Sequence, residues 1–345
     1  MKDQNNAQME QMEQIYKFDP PKEKKKGRRG LKIWLIVLAC IVLFGAIIGF
    51  SVNALFADRT QLLPTEPYLG VLYVEGVIAK DNVDSWGRAV GYQHDFTLRS
   101  IDKMIKDENN KGIILYVDSP GGGVFESDEL YFKIEEYKEA TGRPVFSYMA
   151  SMAASGGYYI SAPADMIFAN RNCWTGSIGV TIGTLFDLSG FLENYGIKTI
   201  TITSGDNKAM GNMLEPITDE QKAIFQSLID EAYEQFVEIV AKGRKMDSDT
   251  VKKLADGRIY TAKQAMELDL IDSVSTYKEA ISYIAEHYNL KGVLLQDITY
   301  QDHSIIGKLF NKLPLPSGYG NEAEAVLSLI RGGTEYPISY LSQMP

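Results

Sequence analysis

The sequence predicts an α/β domain with a mostly parallel β-sheet, preceded by one transmembrane helix. Short β-branched segments alternate with amphipathic helices along most of the chain, which is the pattern of a parallel sheet covered by helices. The segment GIILYVD (112–118) is a nearly continuous apolar run, which suits a strand buried on both faces. Near the N-terminus, residues 33–57 carry no charge over a length that exceeds the bilayer hydrocarbon.

The elements alternate in order along the chain. Strands are predicted at 69–78, 112–118, 143–150, 166–170 and 197–203. Helices are predicted at 97–110, 124–142, 154–164, 187–196 and 218–245. Thr218 with Gln221 three residues later is the capping-box pattern, so the long last helix is expected to begin there.

The uncharged run at 33–57 predicts a membrane anchor. A cleaved signal peptide is the alternative, but its apolar region is usually about 7–15 residues long. The basic stretch KEKKKGRRGLK precedes the run and is expected to stay in the cytoplasm, which places the rest of the chain outside it. The predicted segments are a disordered basic tail (1–32), the anchor (33–57), a linker (58–65), the extracytoplasmic domain (66–298) and a C-terminal tail (299–345).

Composition excludes several functions. The chain has 345 residues and a net charge of −10, with nine Lys and Arg against five Asp and Glu in residues 1–57. The body is therefore acidic, which argues against a nucleic-acid partner. Of the two cysteines, Cys40 lies in the apolar run, so a disulfide with Cys173 is not expected. No cysteine–histidine spacing suggests a metal site, and no cofactor is predicted.

Two glycine-rich turns are candidates for a site. The turn DSPGGG (118–123) follows a buried strand and opens a helix, where free backbone N–H groups can hold an oxyanion. The turn AASGGYY places Ser155 at the start of another helix, between small residues that would leave its hydroxyl accessible. A structural explanation also exists for each, since such turns are common and Ser155 could merely cap its helix.

A nucleophilic serine needs a base, and no histidine is near Ser155 in sequence. A lysine can serve where an apolar environment keeps its amine neutral. Lys208, in TSGDNK, follows a β-like run and precedes Ala209 and Met210, whereas most other lysines lie in charged helices. A solvated loop lysine is the alternative for Lys208.

Taken together and in order, SPGGGVFES, SMAASGGYYIS, TGSIGV, TSGDNK and DGRIYTAKQAMELDLID resemble the bacterial signal peptide peptidase A family of serine proteases, over roughly residues 66–290. The resemblance implies Ser155 as nucleophile, Lys208 as general base and Ser177 as the serine that orients the lysine. It implies Gly122 and Gly156 as backbone donors of the oxyanion hole.

The resemblance also implies the fold of the Clp protease proteolytic subunit and the crotonases. It implies a homo-oligomeric ring whose sites combine the serine and lysine of neighbouring protomers, and remnant signal peptides as substrates. Two departures concern the surroundings of Lys208: Ala209 stands where many members have an acidic residue, and Glu215 where a serine often precedes the proline.

The same residues suggest one further feature of the protease and leave two alternative functions open. The apolar stretch AEAVLSLI (323–330) could itself enter the peptide groove. A ring without catalytic activity, acting as a membrane scaffold or regulator, would tolerate alanine at Ser155 and Lys208. A crotonase-type acyl-CoA enzyme would use the glycine turns for a thioester, but CoA is cytoplasmic and the domain is predicted to lie outside.

Overall fold

The computed structural model describes residues 63–83 and 89–300, the backbone of residues 339–341, and Leu38. Apart from Leu38, these residues belong to one compact unit formed by residues 61–345.

The predicted anchor at 33–57 lies outside the described residues except at Leu38, as do the basic tail at 1–32 and the stretch 323–330. In the part of the chain that is described, no helix combines the length and the apolar character needed to cross a bilayer.

Four of the five predicted strands are present, as β1, β2, β4 and β5 in the list that follows. The strands are β1 (Tyr68–Glu75), β2 (Asn110–Ser119), β3 (Gly121–Gly123), β4 (Val145–Ala154), β5 (Met166–Ala169), β6 (Trp174–Gly176), β7 (Ile259–Thr261), β8 (Ser273–Val274), β9 (Leu294–Ile298) and β10 (Ser339–Leu341). The helices are α1 (His94–Lys106), α2 (Val124–Thr141), α3 (Gly156–Ser161), α4 (Ser189–Asn194), α5 (Asp219–Arg244), α6 (Ser248–Leu254), α7 (Ala262–Glu267) and α8 (Tyr277–His287).

The main sheet is largely parallel, which confirms the predicted α/β class. Its order is β7-β6-β4-β2-β1-β9, and β5 pairs with both β4 and β8. Only the β6–β7 pair in this sheet is antiparallel, while β10 pairs antiparallel with β3 in a separate two-stranded sheet.

The core lies on both faces of the main sheet. In β2, Ile113, Leu115 and Val117 belong to one apolar cluster, and Ile114 belongs to the cluster on the other face. Successive side chains of a strand point to opposite faces, so the continuous apolar run at 112–118 serves both layers. The sequence prediction of a doubly covered strand is confirmed.

The two glycine turns meet at the carboxyl ends of β2 and β4. These strands are parallel neighbours, and Ser119 of β2 is in register with Ala153 of β4. After Ser119 the chain enters β3 and α2, and after Ala154 it reaches Ser155 and α3. In open α/β sheets this edge is where ligands bind.

The long helix α5 begins as predicted. The Gln221 backbone N–H donates to the Thr218 hydroxyl at 3.1 Å, and the Thr218 N–H donates to the Gln221 side-chain oxygen at 3.4 Å. This reciprocal pair satisfies two of the free donors at the helix start.

The predicted strand at 197–203 is wrong for this chain. These residues form no strand, and the exposed fractions of Ile200 and Ile202 are 85% and 92%. The β-branched alternation is present, but no described strand lies beside it to complete a ladder. None of residues 179–231 is buried.

Candidate active site

Ser155 occupies a strained position between β4 and α3. Its φ is +54° and its ψ is −118°, values that non-glycine residues seldom adopt. Its backbone N–H donates to the Gly176 carbonyl at 2.8 Å, but its side chain makes no hydrogen bond that caps α3. The capping explanation therefore fails, and the sharp strand-to-helix turn is of the kind that presents a nucleophile.

The glycine strand β3 is fixed by the backbone of Ile78. The Ile78 N–H donates to the Gly121 carbonyl and the Gly123 N–H donates to the Ile78 carbonyl, both at 2.8 Å. A Cβ on Gly122 would lie 1.8 Å from the Ile78 carbonyl oxygen, so no other residue fits there. Because backbone groups alternate along a strand, the Gly122 amide faces the other edge of β3.

That other edge of β3 is paired by β10. Tyr340 is the register partner of Gly122, and Ser339 and Leu341 pair with Gly123 and Gly121. The segment described on the glycine strand is thus Ser339–Leu341. The stretch 323–330, the expected occupant of the groove, lies outside the described residues. This edge accepts an extended peptide in antiparallel orientation.

Gly156 lies against β3. A Cβ built on Gly156 would be 3.2 Å from the Gly122 nitrogen and 2.6 Å from the Ser127 hydroxyl oxygen. The structure thus brings together the two predicted oxyanion-hole residues, which are 34 positions apart in the chain. It adds Ser127, the last residue of the quoted segment SPGGGVFES, to which the sequence reasoning gave no role.

Ser177 lies beside Ser155 on the neighbouring strand end. Ala154 of β4 is in register with Gly176 of β6, so the two serines follow paired residues. Ser177 also has a positive φ, +49°, and its N–H donates to the Arg258 carbonyl at 2.7 Å. Both serines line one cavity of about 480 Å³.

Helix α5 and the loop before β7 complete the cavity wall. Its titratable side chains are Asp230, Tyr233 and Asp256, and none of its lining residues is a lysine or a histidine. Hydrogen bonds from Arg258 lower the pKa of Asp256 to about 2, and burial raises the pKa of Tyr233. These residues lie 75 to 101 positions beyond Ser155 in the chain, so no local pattern predicted them.

Lys208 lies apart from this cavity within the chain. It is exposed, its backbone N–H donates to the Gly205 carbonyl at 3.1 Å, and it is not among the cavity residues. The region around it, which we call the lysine segment (residues 182–217), has large apolar side chains in solvent. These include Phe186, Phe191, Tyr195, Ile197, Ile200 and Ile202.

Other candidate chemistry lies elsewhere in the chain. His94 is buried, with its ring between the Tyr92 hydroxyl and the Glu129 carboxylate. Cys173 is a buried free thiol whose pKa is raised to about 12 by burial, so it stays protonated. Within the described ranges, no group of His, Cys, Asp and Glu is arranged to hold a metal ion.

Comparison with known proteins finds a matching family and several relatives. The model of peptidase family S49 matches residues 137–291, a range that includes Ser155, Ser177 and Lys208. A candidate protease of Methanocaldococcus jannaschii is 34% identical over 264 residues, which cover 75% of this chain and 84% of that protein.

Two further relatives are larger than the region they share. A candidate signal peptide peptidase of Enterococcus faecium is 39% identical over 219 residues, covering 64% of this chain and 63% of that protein. Protease 4 of Haemophilus influenzae is 32% identical over 252 residues, covering 72% of this chain and 38% of its own length. The chain belongs to peptidase family S49, the serine protease family of signal peptide peptidase A and protease 4.

Proposed function

We propose that this chain is a membrane-anchored serine endopeptidase in which Ser155 is the nucleophile and Lys208 the general base. Its fold is then of the Clp protease and crotonase type, with the domain at 66–298 outside the cytoplasmic membrane. The observation that carries the proposal is Ser155 itself: its backbone is strained, its side chain does not cap α3, and it lines a cavity. The next residue in the chain, Gly156, lies against Gly122.

The residues that line the cavity include no lysine or histidine to act as the base for Ser155, which supports an active site formed by two chains. A serine at its ordinary pKa is a weak nucleophile and needs a neighbouring base. The cavity residues offer only carboxylates and a tyrosine hydroxyl, while Lys208 lies in the exposed lysine segment. A second copy of this chain would supply Lys208 to the Ser155 of its neighbour, and Ser177 would hold the amine by a hydrogen bond.

The lysine segment has the surface expected for such an assembly. Contiguous exposed apolar side chains on a soluble domain mark interaction sites. Ile200 and Ile202 are almost fully exposed, and they lie six to eight residues from Lys208. Docking this segment on another protomer would cover the isoleucines and place the lysine amine in an apolar environment, which favours its neutral form.

Catalysis would then proceed through an acyl-enzyme. The Lys208 amine takes the proton of the Ser155 hydroxyl as its oxygen attacks the peptide carbonyl carbon. The Gly122 and Gly156 amides hold the oxyanion, and losing one such donor typically costs on the order of 3 kcal/mol. The C–N bond breaks as the leaving amine takes the proton from Lys208, and water activated by the same lysine hydrolyses the ester.

The β10–β3 pairing supports an extended peptide as the substrate. A substrate adding to β3 in the manner of residues 339–341 would bring its carbonyl to the Gly122 amide. With the predicted anchor at 33–57, the site would lie beside the bilayer, where remnant signal peptides reside. Small or apolar side chains are therefore expected at the cleaved position.

Active-site labelling tests the proposal. The full chain in detergent should react with a fluorophosphonate at Ser155 and should hydrolyse an apolar fluorogenic peptide. Ser155→Ala should lose both signals, while Ser151→Ala, at an exposed serine of the preceding strand β4, should retain them. If Ser155→Ala hydrolyses the peptide as fast as the wild type, the activity comes from a contaminating peptidase. The chain would then be better explained as a scaffold without catalytic activity.

A further inference from the structure

Ser127 carries a buried hydroxyl that has no partner in the described part of the chain. It is the fourth residue of α2, it is 0% exposed, and its oxygen makes no hydrogen bond. A buried hydroxyl in that state is destabilising relative to one that is paired. Such a group in a native fold calls for an explanation, and a catalytic role is one that occurs.

Two other buried serines near the site, Ser119 and Ser161, are paired. The Ser119 hydroxyl accepts the Gly121 N–H at 3.1 Å, and the Ser161 hydroxyl donates to the Gly157 carbonyl at 2.8 Å. The unpaired state is therefore specific to Ser127 among these residues. Within the described ranges, the Ser275 hydroxyl is the other buried side-chain group without a partner, and it lies in the loop between β8 and α8.

The position of the Ser127 oxygen indicates what it serves. It lies 2.6 Å from the point where a Cβ on Gly156 would be, and the Gly122 nitrogen lies 3.2 Å from that same point. The hydroxyl is thus placed at the contact between the two glycines whose amides hold the oxyanion in the proposed function. The backbone of β10 contacts α2, α3 and β3 together, so a peptide strand at this position adjoins all three.

We propose that the Ser127 hydroxyl is a third donor of the oxyanion hole, which forms its hydrogen bond only when the substrate carbonyl oxygen becomes negatively charged. The inference rests on the proposed function. The proton stays on the Ser127 oxygen throughout, and no bond to it is made or broken. A hydroxyl can rotate toward a new acceptor, whereas the two backbone amides are fixed. Its bond is made in the transition state and not in the ground state, so it raises kcat without changing KM.

The test compares Ser127→Ala with Ser275→Ala as the matched control. Both variants remove a buried, unpartnered hydroxyl, so neither should lower the thermal unfolding midpoint of the full chain. Ser127→Ala should lower kcat for the fluorogenic peptide by about 100-fold with KM unchanged. Ser275→Ala should leave kcat and KM at wild-type values.

A peptide aldehyde supplies a second readout, because it forms a hemiacetal whose oxygen occupies the oxyanion position. Its inhibition constant against Ser127→Ala should rise by the same factor by which kcat/KM falls. Ser127→Cys keeps a weak S–H donor and should lie between the serine and alanine variants.

Each outcome has one meaning. Wild-type kcat in Ser127→Ala overturns the inference, and so does a rise in KM alone, which would make Ser127 a wall of the substrate pocket. If Ser155→Ala remains fully active in the same assay, the proposed function fails as well. If Ser155→Ala is inactive while Ser127→Ala is unaffected, only the third donor is excluded.

Discussion

The two halves of the proposed site differ in how the chain holds them. Ser155, Ser177 and the two glycines lie at the ends of packed strands, where the backbone is fixed by hydrogen bonds to Gly176, Arg258 and Ile78. Lys208 lies in the lysine segment, a region without a buried residue. One half is built by the core, whereas no residue of the other half is buried within the chain.

The difference indicates where catalytic competence arises. A serine held by a core can adopt a strained backbone because its surroundings over-determine it. An exposed lysine has neither the position nor the apolar environment that a neutral base requires. We infer that folding of one chain produces the nucleophile and that association produces the base.

Loss of either residue should have the largest effect. Ser155→Ala and Lys208→Ala should each lower kcat by at least about 10⁴-fold, because nucleophile and base act as a unit. Lys208→Arg should be no better, since a guanidinium does not lose its proton at neutral pH. Initial rates with the fluorogenic peptide measure all three.

Mixing the two inactive proteins separates shared sites from internal ones. If the chains are co-expressed in equal amounts, roughly a quarter of shared sites would combine an intact serine with an intact lysine. Activity should therefore return to about a quarter of the wild-type value. Two inactive variants that never complement would place serine and lysine in the same chain.

A charge in the lysine segment should disrupt association. Ile202→Asp should make the domain monomeric in light scattering and lower activity by about 100-fold, because a buried carboxylate at an apolar interface is strongly unfavourable. Val83→Asp is the control, since Val83 is also an exposed aliphatic residue, at 59%, outside this segment. Equal effects of the two variants would contradict a role for the lysine segment in assembly.

Removing the end of the C-terminal tail should have a moderate effect on the KM of the Ser155 site for the peptide. Deletion of residues after 318 frees the edge of β3 that β10 covers, so KM for the peptide should fall by about tenfold as an intramolecular competitor is lost. The kcat should not change. Unchanged turnover at every substrate concentration would exclude self-occupancy of the groove.

The smallest effect concerns the wall of the cavity. The pKa of Asp256 is lowered from 3.8 to about 2 by Arg258, so this pair stabilises the folded state above about pH 4 and its contribution disappears as the pH falls towards 2. Asp256→Asn should therefore lower the urea midpoint at pH 7 and converge with the wild type in acid. Both side chains are largely exposed, so high salt should weaken the difference.

The sequence predicted the elements that pack in the core better than it predicted the lysine segment. The apolar run at 112–118 and the capping pair Thr218 and Gln221 are local signals, and the structure confirms both. The strand expected at 197–203 was wrong because a strand needs a neighbour, and a β-branched pattern does not say which chain supplies it. The cavity wall of α5 and the Ser127 hydroxyl depend on contacts between distant segments, which no spacing within one segment reveals.

The two hydrogen bonds between Ile78 and β3, which we call the Ile78 clamp, allow local opening of the site to be measured by hydrogen exchange. The amides of Ile78 and Gly123 can exchange with deuterium only when that clamp opens, which also releases the Gly122 amide from its place. Their protection factors thus give the fraction of time during which the pocket for the carbonyl oxygen does not exist. Solvent-facing amides near Ile202, by contrast, should become protected only in a particle of several chains.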